Sequence, residues 1–181
     1  MGVVMEITTH DLLTVLHGMG FGALFMLAFS GALAELYRIS APGAPSQMST
    51  REQSLLSFYL LAMVILAWLT VFSGAYVIYP WYRAVPAAGV TDFADYPRRL
   101  LLSSGKTSEW HNIGMEWKEH VAWLSPILAT AVAFVVIRYG SRVAEDARMR
   151  QGLLILFTLA FLSAATAGLF GAFITKAAPI H

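Results

Sequence analysis

The sequence predicts an all-α fold: an integral membrane four-helix bundle running up and down, with both termini on the same, periplasmic side. Three observations predict it. Of the 181 residues, 57% are hydrophobic and only 13% charged, against about 25% charged in soluble domains. Four long uncharged runs are present, and a spanning helix needs about 20 mainly apolar residues. The connections alternate short, long, short, which fixes which helix ends share a side.

The first run, Leu12 to Ala34, holds 23 uncharged residues between Asp11 and Glu35 and predicts a helix at about 10–38. Met1 to His10 contains no Lys or Arg. A cleaved leader would have a positive start and a short apolar core, so this segment reads as the lead-in to a retained helix. Gln53 to Tyr82 is uncharged over 30 residues and predicts a second helix at 53–83. Val121 to Ile137 gives only 17, but helical sequence continues upstream, so the third helix is expected at 109–139. Ser108 would cap it, and Glu109 would complement the dipole in its first turn. Gly152 to Thr175, 24 residues, predicts the fourth at 150–177. The whole chain, 1–181, reads as one transmembrane domain, with a long loop at 84–108.

Ile39 to Ser49 is a Pro/Gly/Ser turn and Tyr139 to Arg150 a short charged one. Both lie on one side, together with Arg38, Arg51, Arg138, Arg142, Arg148 and Arg150 near helix ends. The other side carries Arg83, Arg98, Arg99, Lys106, Lys118 and Lys176, spread over the longer loop. The count is tied, and density favours the short-turn side as cytoplasmic. The expectation is a multi-pass protein of a bacterial-type inner membrane, with its N- and C-termini outside. Pro80, Trp81, Tyr82 and Trp110 read as an anchoring belt at that outer face.

Composition also excludes. A net charge of +1 without a long basic run gives no case for nucleic acid. The absence of cysteine rules out thiolate metal sites, iron–sulfur clusters and covalent c-type haem. No nucleophile–base constellation and no phosphate-binding glycine loop is present.

All five histidines, His10, His17, His111, His120 and His181, fall toward the side of the termini. Depth can be counted back from the first arginine of the opposite side. His17 lies 21 residues from Arg38, and His120 lies 18 from Arg138, or about 31 Å and about 27 Å of helix rise. The two imidazoles therefore sit at nearly one level. Two histidines facing each other at equal depth in a bundle suit axial ligation of a haem. Gly18, Gly20 and Gly22 would lower the wall around His17, and Arg83, Lys118, Arg98 and Arg99 could meet propionates. The competing reading is close helix packing through Gly18 and Gly22. His10 and His111 form a weaker second pair. His111 and His120, nine steps of about 100° apart, fall on opposite helix faces, which favours one haem.

Glu109 to Trp123 is the densest segment. Glu116 and His120 are four apart on one face, so Glu116 is the candidate catalytic base, taking a proton from a quinol. Lys118 and Glu119 read as part of a solvated interfacial face with local ion pairing. Copper is the alternative metal: His17, His111, His120, Glu116, Met19 and Met115 include ligand types suited to copper or iron. A bridged diiron site lacks its Glu-x-x-His pairs.

On His17 with its glycine-rich neighbours and His120 in E-W-K-E-H, the chain resembles the small four-helix membrane-bound b-type cytochromes. The likeness is architectural and covers the four spans. It implies an electron-transfer subunit binding one haem b near the periplasmic face. Its partners would be membrane lipid, other subunits of a redox complex, and quinol; any enzymatic role would be oxidoreduction. The other readings are a non-catalytic structural subunit and a copper-binding membrane protein.

Overall fold

The computed structural model describes residues 7–41, 43 and 47–179; His181 lies outside them. Four long apolar helices form an up-and-down bundle: α1 (Thr9–Ser40), α2 (Thr50–Tyr82), α4 (Trp110–Tyr139) and α6 (Ala147–Ala177). Two short helices, α3 (Pro97–Leu102) and α5 (Ser141–Glu145), lie in the connections. Among the described residues there is no β-strand. The helices pack in order round the bundle, α1 on α2, α2 on α4, α4 on α6, with α6 closing back on α1. Each is long and apolar enough to cross a membrane, which is the architecture of a multi-pass membrane protein.

Local sequence explains where the spans begin. Thr8 Oγ accepts from Asp11 N while the Asp11 carboxylate accepts from Thr8 N at 2.8 Å, a reciprocal cap that satisfies two otherwise orphaned donors. Ser49 and Glu52 repeat the arrangement at the start of α2. The Asp146 carboxylate accepts from the backbone of Arg148 and Met149 at the start of α6. On the same side, Arg38 bridges Glu35 and Glu52, tying α1 to α2. This end, with the short turns, is called the arginine side below; the opposite end is the histidine side.

The main core fills the arginine half. Phe25, Ala28, Ala32, Leu36 and Ile39 recur at three- and four-residue spacing along α1 and are buried. They meet Leu56, Leu60 and Met63 of α2, Val132 and Val136 of α4, and Phe157 of α6. Phe29 stacks on Phe157 at 4.7 Å and on Phe161 at 4.1 Å. Gly31 allows this density: a Cβ there would lie 2.5 Å from the Tyr59 ring. A second, smaller core of Tyr82, Leu101, Met115, Ile174 and Ala178 caps the histidine side.

Two local expectations are corrected. The loop at 84–108 is not wholly irregular. Pro97, whose fixed φ suits the first helical position, opens α3, and Leu101 is fully buried in the second core. Ser108 does not cap α4: its hydroxyl donates to Gly105 O at 3.5 Å, and no side chain caps the segment at Trp110.

Candidate functional site

Between the two cores lies a layer with no core of its own. Among the described residues, nothing in α1 before Phe25 is buried, and nothing in α2 between Ala67 and Tyr82. The same holds for α6 between Ser163 and Ile174, and for α4 between Met115 and Ala122. In α6 alone this gap is about 15 Å of helix rise. The arginine half shows that these helices bury an inner face when they touch. In this layer the same faces are only partly covered.

The backbone changes in the same layer. Leu16–Gly20 of α1, Gly74–Ile78 of α2, and Trp110–Met115 and Trp117–Val121 of α4 are wound as π turns. Such turns are rare and concentrate at functional sites. Where the last of them gives way to α-helix at Leu124, Ser125 N bonds Ala122 O. The Val121 carbonyl is taken instead by Ser163 Oγ of α6 at 2.7 Å. Trp117 Nε1 donates to Ser163 O at 3.4 Å, so α4 is pinned to α6 at the floor of the layer.

His17 is held firmly. Its Nδ1 lies 2.9 Å from Ser73 Oγ of α2, and Ser73 Oγ donates to Thr70 O at 3.1 Å. A hydroxyl has one hydrogen. In the tautomer where Ser73 donates to Thr70 O, the imidazole donates to Ser73 through Nδ1–H and Nε2 keeps its lone pair. Gly74 makes room for the ring: a Cβ there would stand 2.9 Å from His17 Cε1. His17 also borders a groove of about 410 Å³ along the α1–α2 seam, lined by Leu13, Leu16, Phe21, Leu69 and Phe72 among others. The groove is almost wholly apolar, and its size is in the range of ordinary small-molecule sites.

The neighbouring glycines behave differently from one another. A Cβ on Gly18 or Gly22 would meet nothing within 4 Å, while one on Gly20 would meet Leu16 of its own helix at 3.1 Å. Gly18 and Gly22 thus border open space and are not points of close helix contact. Thr14, one turn above His17, has a buried hydroxyl without a hydrogen-bond partner.

Among the described residues, the other histidines are engaged elsewhere than at His17. His120 is exposed, its Nδ1 held by Glu116 of its own helix, 3.1 Å from the carbonyl and 3.4 Å from Oε2. The shared face expected of Glu116 and His120 is present, and both side chains are exposed. His111 has both ring nitrogens engaged, Nδ1 with Tyr82 OH at 2.8 Å and Nε2 accepting from Arg98 Nε at 3.3 Å. His10 stacks on Trp81 at 4.8 Å. The step of 100° per residue does not hold between His111 and His120, because this stretch is wound in π turns.

Lys118 and Glu119, expected on a solvated interfacial face, are part-buried. Glu119 accepts from Tyr79 OH, whose oxygen also accepts from Arg83 Nη1 at 3.0 Å. Lys118 points inward, where a Cβ on Gly171 of α6 would lie 3.0 Å from its Nζ, and its charge is felt at His17. Sequence reasoning also missed Ser73 and Thr14, polar residues within apolar runs whose partners depend on the tertiary fold. Of the sulfur ligands considered for copper, Met19 is 72% exposed and Met115 lies in the second core. Among the described residues, no three of His, Cys, Asp and Glu cluster as a metal site.

Fold and site together define a four-span membrane bundle with an uncored, histidine-bearing layer toward one face. No protein-family model, curated protein or solved structure matches the chain.

Proposed function

We propose that the chain is a membrane electron-transfer subunit binding one b-type haem in the uncored layer, anchored through His17. The observation that carries this reading is the His17–Ser73 pair. A metal-ligating histidine normally donates its second ring nitrogen to a fixed acceptor, and Ser73 is that acceptor. The surroundings fit a flat apolar group: open space at Gly18 and Gly22, an apolar groove beside the ring, and an inward ammonium at Lys118. The haem would supply one-electron chemistry; the chain supplies Nε2, the apolar walls and a cation. His120, exposed and paired with Glu116, is less suited to the same group than His17.

In this reading the histidine side is periplasmic in a bacterial-type inner membrane, supported by the arginines packed at the other ends. A redox complex supplies the remaining partners. The test is the absorption spectrum of the detergent-purified protein, oxidised and reduced, with haem extraction. A sharp reduced α-band at about one haem per chain, lost in His17→Ala, is the expected result. A colourless preparation from haem-replete cells would end the reading.

The groove favours a second occupant. It lies along the α1–α2 seam with His17 on its border, and without a haem the ring's unprotonated nitrogen would suit the hydroxyl of a quinol. Quinol binding in a colourless protein would make this the sole function; Glu116, exposed beside His120, would then be tested as the proton acceptor.

A further inference from the structure

Four cations were candidates to meet an acidic group of a bound cofactor, and the structure separates them. Arg83 is exposed, stacks over the Tyr79 ring at 5.3 Å and donates to its hydroxyl. Arg98 donates to His111. Arg99 is exposed in α3. Lys118 alone turns into the bundle. Among the described residues, no hydrogen bond or ion pair reaches its ammonium, although the side chain is part-buried.

A charged group within a span is costly and normally finds a partner or a water-filled space. Among the described residues no carboxylate or carbonyl bonds Lys118, and Glu119 beside it is turned away to Tyr79. Its position is built: the π turn of Trp117–Val121 sets its direction, and the missing side chain of Gly171 lets its tip lie against α6. The ammonium also lies in the same uncored layer as His17. A cation in such a place is a site for an anion that arrives with a ligand.

The structure assigns Lys118, with Gly171 beneath it, as an internal carboxylate site: it receives an acidic side group of the cofactor inside the bundle, away from the surface arginines. The assignment rests on the haem reading above, in which that acidic group is a propionate. A single charge-assisted hydrogen bond in a dry site is worth roughly a tenfold to hundredfold difference in affinity.

The test uses the full chain, purified without haem in detergent and titrated with iron protoporphyrin IX and with its dimethyl ester, which lacks both charges. The wild-type chain is expected to bind the acid at least roughly tenfold more tightly than the ester. Lys118→Met should bring the acid down to the ester's level, and Lys118→Gln should do the same if the Met variant is poorly folded. Arg83→Gln should keep the preference. Equal binding of acid and ester by the wild type, or a preference that survives in both Lys118 variants, overturns the carboxylate site and leaves the haem reading standing. Binding of neither porphyrin overturns both.

Discussion

Ser73 and His17, 56 residues apart in sequence, meet at 2.9 Å and join α2 to α1 beside the uncored layer. The contact sets which imidazole nitrogen carries the proton and which way the ring faces. Ser73→Ala removes the acceptor and leaves the ring free to turn. Haem affinity should fall roughly tenfold to hundredfold, while fold stability drops by only about 1 kcal/mol. Haem titration beside unfolding in denaturing detergent measures both. Equal affinities would show that Ser73 has no part in presenting the ligand.

His17→Ala and His120→Ala should differ. His17 faces the layer between helices, whereas His120 is held by Glu116 on an exposed face. Loss of the reduced α-band is expected in the first variant and retention in the second. Loss in both would restore His120 as the second ligand and require α4 to turn relative to this structure.

Two glycines give a steric control. Alanine at Gly74 would press its methyl against His17 Cε1, 2.9 Å away, while alanine at Gly18 would meet open space. Overpacking costs typically about 1–3 kcal/mol, so Gly74→Ala should displace the imidazole and weaken haem binding in a folded protein. Gly18→Ala should leave folding unchanged, and it weakens haem binding only if the haem uses that space. A stable Gly74→Ala protein with an unaltered spectrum would place the haem away from this ring.

The two cores should respond separately. Phe157 is fully buried in the arginine half, and Phe157→Ala should cost about 3–5 kcal/mol, lowering the unfolding midpoint of the whole bundle. Leu101 is as well buried, but in the small core under α3. Leu101→Ala should mainly expose 84–108 to protease and speed its hydrogen exchange, with the bundle intact. Global unfolding in both variants would show that the cores are one cooperative unit.

The spans were legible because lipid leaves a compositional mark: long runs without charge survive any uncertainty about packing. Helix ends were legible to within a few residues for the same reason, since Arg38 and Tyr82 mark where the runs stop. The short helix α3 was not, because Leu101 gains its burial only from Tyr82 and Met115 across the fold. Lys118 reads from sequence both as part of a solvated face and as a propionate partner, and its inward direction comes from a stretch that winds in π turns. No periodicity argument sees that change of pitch. The glycines around His17 were visible as small residues, yet only the structure shows that Gly18 and Gly22 border space while Gly31 and Gly74 sit under aromatic or imidazole rings. Ser73 offered no signal at all, being one of several hydroxyls in an apolar run.

The separation of the main core from the layer above it has a consequence for how such a chain can change over time. Phe25, Leu60, Val132 and Phe157 secure the four helices from below, so residues level with His17 contribute little to keeping the protein assembled. Substitutions there are free to follow the chemistry of whatever is bound. The lower half is a foundation on which the upper half can be rebuilt.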